Sequence, residues 1–377
     1  MFAVTPVLRR SLKDYRAYEG EELIENVTKM AKSLRGSRVL HLSPVPQHSR
    51  LFDTSDTLTS LLQSVGIAAE WRIIRTKPNQ MMANKTLNLA LDGHFVQWTP
   101  DLHDSWLHRD ADLADISLQD YDFIVVHGVE LASITAHSFH PSSTVPPTVD
   151  PLSLRNKDIP QRFVDAVLRQ HGLDPQHPFV LHILPESQDF GAISRLIDGF
   201  RLAKERVSEL QMLTLITGDG DDQRSLAYSN YLNYRLGRSD QTHVVHVESG
   251  VGNIEINVFQ RAASAVLEES IDDEYGAALL LEAMWKERPV IVGTESAALL
   301  GIQDGQSGYE ARSAEDYGSK IVSLLESPLR ATAIGRGAKE HVQQKFLVTK
   351  LLHTYLATLC RLASEDAVEI ANTARVN

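Results

Sequence analysis

Cysteine is nearly absent. Cys360 stands alone among 377 residues, so no internal disulfide can staple the chain, and a reducing, cytoplasmic setting is expected. Long apolar runs are missing too. No window approaches eighteen apolar residues, which excludes a spanning helix, and the opening MFAVTPVLRRSLKDY has no secretory apolar core. Positive charge is in deficit, with 37 basic against 49 acidic side chains and a net charge of −12. Residues 1–150 carry 14 basic and 18 acidic groups, or −4, so the remaining −8 lies in the rest of the chain. An acidic surface disfavours nucleic acid and anionic membranes as partners. No internal repeat, P-loop, GxGxxG, Ser-His-Asp or Cys-His arrangement occurs. The histidines are scattered without metal-ligand spacing, so no metal site is expected.

What is present is enough apolar residue, 43%, to pack two cores of ordinary size. The spacing predicts helix over Tyr18–Leu34, a buried strand Arg38–Ser43, a polar loop Pro44–Asp56, helix Thr57–Val65 and strand Ala69–Ile74. Helix Asn79–Leu91, a short strand Phe95–Trp98 and strand Tyr121–His127 follow. Ser138–Pro160 holds five prolines and breaks this rhythm as an interdomain linker. Beyond it, strands Phe179–Leu184, Met212–Thr217, Val244–Val247 and Ala265–Leu267 alternate with helices. Ser313 and Asp316 have capping-box spacing before another helix. Pro328 opens a further helix, Leu347–Leu362 is the last, and the tail after Ser364 is expected to fray. The alternation gives an α/β class with two doubly wound parallel-sheet domains facing a cleft. The expected boundaries are 1–140, linker 141–160, 161–345, a helix at 346–362 packing back on the first domain, and a tail at 363–377.

The chemistry is concentrated in Glu268–Gly293, EESIDDEYGAALLLEAMWKERPVIVG. It reads as an acidic loop, an apolar helix Ala277–Trp285 and a strand Pro289–Gly293. Glu274 in the loop and Glu282 in the helix would bring two carboxylates to the mouth of the sheet, where ligands of such folds bind. An ordinary surface loop followed by an amphipathic helix carries the same pattern.

Several stretches share a resemblance. EAMWKERPVIVG (Glu282–Gly293), DYRAYEGEELIENVTKMAKSLRGSRVLHLS (Asp14–Ser43), GIAAEWRII (Gly66–Ile74) and PPTVDPLSLRN (Pro146–Asn156) resemble retaining glycosyltransferases of the GT-B fold, family 4. Within that family they are most similar to nucleotide-sugar-dependent trehalose synthases and their phosphorylase relatives, over roughly residues 12–362. The resemblance implies two Rossmann-like domains, a nucleoside diphosphate glucose as donor co-substrate, glucose as acceptor, and no metal or other cofactor. It further implies that donor-side residues stabilise the leaving diphosphate with positive charge and backbone N–H groups.

At the donor positions this chain departs from that pattern. The family's arginine and lysine after the first strand of the C-terminal domain are replaced by Pro185 and Phe190 in LPESQDFG (Leu184–Gly191), with Arg195 one helical turn on. The glycine-rich loop of the N-terminal domain is replaced by PVPQHSRLFDTSD (Pro44–Asp56), where Arg50 and His48 are the charged candidates. The family's Glu-Gly-Phe-Gly aligns in two ways. Either Glu274 is the first glutamate and Tyr275-Gly276-Ala277 follow, or Asp273 replaces it and Glu274-Tyr275-Gly276 follow. Ser296-Ala297 stand for two glycines. His127 matches a histidine near the sugars but is followed by Gly128, and the N-terminal domain is shortened after it. If the chain is active, the resemblance assigns His127, Glu274 and Glu282 to catalysis, and Asp273, Tyr275, Gly276, Arg195 and Gly218 to the donor.

Two functions remain open. One is a non-catalytic or strongly diverged homologue working through protein–protein contact, with itself as a homo-oligomer or with an active paralogue. The other is an active retaining glucosyltransferase with a rebuilt donor site.

Overall fold

The computed structural model describes residues 2–4, 9–43, 50–74, 82–83, 86–87, 90, 95–107, 116–126, 147–185, 189–217, 223–237, 241–247, 251–270 and 274–373. The chain forms two compact units, 1–146 with 348–377, and 147–347.

The first unit is built on a four-stranded sheet of order β1-β3-β2-β4, comprising β1 (Phe2–Val4), β2 (Arg38–Ser43), β3 (Ala68–Ile73) and β4 (Phe123–Val126). Strands β2, β3 and β4 are parallel, while β1 adds to β3 antiparallel. Helix α1 (Glu21–Ser33) buries Ile24, Val27 and Ala31, one face at helical spacing. Helix α2 runs over Arg50–Ser64, so the second half of the expected polar loop is helical. No strand forms over Phe95–Trp98. That stretch is irregular and leads into α3 (Pro100–Leu107), whose start is set by proline at the first helical position. Most of the helix expected over 79–91 lies outside the described residues.

The second unit holds a six-stranded, all-parallel sheet of order β10-β9-β8-β5-β6-β7. In chain order it consists of α4 (Gln161–Gln170), β5 (Phe179–Leu184), α5 (Phe190–Arg206), β6 (Gln211–Ile216), α6 (Gln223–Leu236), β7 (Thr242–His246), α7 (Asn253–Ala262), β8 (Ala265–Glu268), α8 (Glu274–Trp285), β9 (Val290–Gly293), α9 (Thr294–Leu300), β10 (Tyr309–Ala311), α10 (Ala314–Glu326) and α11 (Pro328–Lys345). Strands β5, β6, β8 and β9 are buried at every position, as a sheet covered on both faces requires. Ser313 caps α10 by accepting from the Asp316 amide at 3.2 Å, but Asp316 Oδ2 accepts from the Arg312 amide at 3.0 Å, so only half of the expected capping box forms.

Helices α5 and α10 pack at glycines. A Cβ on Gly199 would lie 2.4 Å from Tyr317 Cβ, and one on Gly318 would lie 3.0 Å from the Gly199 carbonyl oxygen. Helix α8 is buried nearly all round. Ala277, Ala278, Leu279, Leu280, Leu281, Ala283 and Met284 are 2% exposed or less, so α8 is a core helix and not the surface amphipathic one its sequence also allowed. Each such leucine contributes about 1.5–3 kcal/mol by leaving water.

Residues 147–160 pack as part of this unit. Asn257 Nδ2 donates to the carbonyls of Leu154 and Lys157 at 2.9 and 2.8 Å. Arg261 Nη2 donates to the Asn156 carbonyl at 2.8 Å. Buried Lys286 donates from Nζ to Asn156 Oδ1 at 2.6 Å, to Gln260 Oε1 at 2.8 Å and to the Glu282 carbonyl at 3.1 Å. Irregular backbone can be buried this way because side chains satisfy its polar groups.

The last helix, α12 (Val348–Thr373), belongs to the first unit and packs on α1 and α2. Leu352, Leu356 and Leu359 are buried, and Tyr355 stacks on His41 with its hydroxyl 3.2 Å from Nε2. The helix runs past Ser364 to Thr373, where a frayed tail was expected.

Candidate functional site

The order of the second sheet places a topological switch point between β5 and β8. From β5 the chain steps outward through β6 and β7, then returns to the other side of β5 for β8, β9 and β10. The crossover loops after β5 and β8 therefore diverge to opposite faces, and open α/β sheets take their ligands in the crevice this leaves. After β5 come Pro185 and α5; after β8 come Glu269 and α8.

A side-chain pair joins α5 to the loop after β8. Arg195 of α5 donates from Nε and Nη2 to Glu269 Oε1, at 2.8 and 2.6 Å. The glutamate side chain is 9% exposed and the arginine side chain 49%. This bond to Glu269, the largest influence on it, holds the arginine above its ordinary pKa. The base of the acidic loop is fixed at two further points. Tyr317 Oη donates to the Glu268 carbonyl at 2.9 Å. The Glu269 carbonyl lies so close to Gly293 that a Cβ there would meet it at 1.9 Å. Burial raises Tyr317 well above the usual tyrosine range, and the neighbouring Glu269 charge adds to this.

The start of α5 also carries a carboxylate. Asp189 caps the helix, accepting from the amides of Gly191 and Ala192 at 2.6 and 3.0 Å. Those are the N–H groups a helix offers to an anion. Phe190 follows as the first helical residue. Its ring is half exposed and meets Tyr231 and Tyr228 edge-on, with centroids 4.8 and 5.4 Å apart. Pro185 thus follows β5, and an aspartate and a phenylalanine open α5.

The other sequence candidates are dispersed. Helix α8 begins at Glu274, so Glu274, Tyr275 and Gly276 form its first turn instead of a loop. Glu274 and Glu282 then lie on one helix, eight residues or about 12 Å apart along its axis, and do not form a close carboxylate pair. Glu282 is buried, at 4% exposure. Tyr275 lies under the Arg155 guanidinium at 5.5 Å, and Arg155 Nε donates to Asn253 Oδ1 at 2.9 Å. His127, Asp273 and Gly218 lie outside the described residues, as does the side chain of Glu274. Among the described residues no group of three or more His, Cys, Asp or Glu is placed to hold a metal ion.

Sequence reasoning missed the pairing of Arg195 with Glu269 and the cap at Asp189. The cap had a signal, since Asp before Phe-Gly-Ala-Ile opens an apolar-periodic run. The ion pair had none, because its partners are 74 residues apart.

No protein-family model matches the chain. It is 25% identical over 401 residues to the trehalose synthase of Pyrococcus horikoshii, covering 93% of this chain and 96% of that protein. Among solved structures it resembles a glycosyltransferase from Rickettsia africae, with a TM-score of 0.56, 13% identity and coverage of 85% and 97%. It also resembles the N-terminal domain of a trehalose-6-phosphate phosphatase from Candida albicans, with a TM-score of 0.61, 12% identity and coverage of 86% and 96%. This is a trehalose synthase-like glycosyltransferase homologue of the GT-B fold. At its switch point this trehalose synthase-like chain places a paired arginine, a capping carboxylate and a buried acidic strand end.

Proposed function

We propose that this trehalose synthase-like chain keeps the GT-B fold without nucleotide-sugar transfer, and acts by binding a protein partner, itself or an active paralogue. The observation that carries this reading is the Arg195–Glu269 pair across the switch point. A leaving diphosphate needs positive charge that is free to meet it. Here Arg195, near the start of α5, is already neutralised, and the carboxylate that neutralises it would repel an incoming phosphate. Asp189 takes two amides at the α5 N-terminus, which adds to the same effect.

Calorimetry with ADP-, UDP- and GDP-glucose tests the reading, together with an assay for trehalose formed from each donor and glucose. The expected result is no heat at millimolar donor and no trehalose. Micromolar binding that is lost in Glu282→Ala would overturn it in favour of an active glucosyltransferase with a rebuilt donor site. Solution mass, measured on the same preparation, reports whether the chain pairs with itself.

A further inference from the structure

Arg195 and Glu269 are unequally placed. The arginine side chain is half exposed, while the glutamate side chain is 9% exposed. A nearly enclosed carboxylate is costly unless a cation answers it. Both Nε and Nη2 turn to the single oxygen Oε1, so two donors of the planar guanidinium converge on one carboxylate oxygen. Glu269 is also delivered to that contact by its backbone. Its carbonyl is wedged against Gly293, and the preceding carbonyl is held by Tyr317. The carboxylate is thus fixed from the β8 side, and the arginine reaches it from the helix that follows β5, at the carboxyl ends of these two paired strands.

We infer that Glu269 is a built-in anion: it takes the place on Arg195 that a phosphate-bearing ligand would take, and removing its charge opens a phosphate or diphosphate site at the switch point. This rests on the reading that the wild-type chain does not bind a nucleoside diphosphate sugar. A group that supplies the counter-charge internally makes the second unit independent of an anionic ligand for its stability. Without that group, an anion that binds the folded state alone raises its stability by mass action.

The test is thermal unfolding of the full chain with millimolar pyrophosphate, against sodium chloride at equal ionic strength. Wild type is expected to show the same midpoint in both. Glu269→Gln keeps the side-chain shape and is expected to melt roughly 3–6 °C lower, with pyrophosphate recovering at least half of the loss. The double variant Arg195→Gln/Glu269→Gln is expected to melt low and to recover nothing. If Glu269→Gln does not accumulate as folded protein, the yield on refolding with and without pyrophosphate gives the same readout.

The outcomes separate the two ideas. A wild-type midpoint raised by several degrees with pyrophosphate, and likewise with UDP-glucose, would sink the proposed function and this inference together. A silent wild type with a Glu269→Gln variant that pyrophosphate does not rescue would overturn the inference alone. So would rescue that persists in the double variant, because the anion would then be held elsewhere.

Discussion

His182 sits in β5, fully buried, and burial pushes its pKa down to about 3 from an ordinary 6.5. Its Nδ1 lies 3.3 Å from Thr214 Oγ1 on the neighbouring strand. The ring is therefore neutral in the folded protein at any pH above about 3, whereas in the unfolded chain it takes a proton below 6.5. Between these values the unfolded state binds more protons, so stability falls as pH falls. The contribution is intact above pH 6.5, and at pH 5 this one group removes about 2 kcal/mol. His171 and His341 in the same unit are also lowered, chiefly by burial, and act in the same direction, so the wild-type slope alone cannot isolate His182. Replacing it with leucine can. In His182→Leu the loss between pH 7.5 and pH 5 should be smaller than in wild type by about 2 kcal/mol. Any constant offset from losing the Thr214 contact cancels in that difference. Hydrogen exchange of the β5 and β6 amides reads the opening free energy of this unit directly. Equal losses in the two proteins would refute the reasoning, because a histidine that can be protonated in place would contribute no slope.

Two further predictions concern backbone geometry. Gly293→Ala places a Cβ 1.9 Å from the Glu269 carbonyl, and the strain should cost about 1–3 kcal/mol. A thermal midpoint within a degree of wild type would show that the loop base yields freely. Glu287 sits at φ +60° after α8, a left-handed conformation that costs a non-glycine residue about 1–2 kcal/mol. Glu287→Gly should hold or raise the midpoint despite losing the half-exposed pair with Lys339 at 2.7 Å, a contact worth about 0–1 kcal/mol. A clear drop on melting would reverse that balance.

Much of the architecture was legible in the chain. The runs RVLHLS, FVLHIL and MLTLI are apolar enough to be sheathed on both faces, and the structure buries nearly every position in them. The helix ends were legible where glycine or a cap marks them, as at Ser313. Four short elements were not: β1, α3, β10 and α9. The two strands have three residues each, too few for a period, and they form because a neighbouring strand offers its edge. The first turn of α8 was misjudged for a related reason. Glu274-Tyr275-Gly276 reads as a glycine loop locally, yet it is wound into the helix, whose remaining turns are buried among the strands.

By itself, the sequence determined the class of the protein: two α/β halves, strands buried on both faces, and the stretch Glu268–Gly293 as the place where ancestry and chemistry meet. Strand periodicity, turn residues and local wording are properties of neighbours in the chain. Only the tertiary structure decided what that stretch does with its charge. It set β8 beside β5, brought Glu269 within 2.6 Å of Arg195, and turned a surplus of carboxylates into the internal partner of an arginine. Such a pairing depends on strand order, which local sequence does not encode.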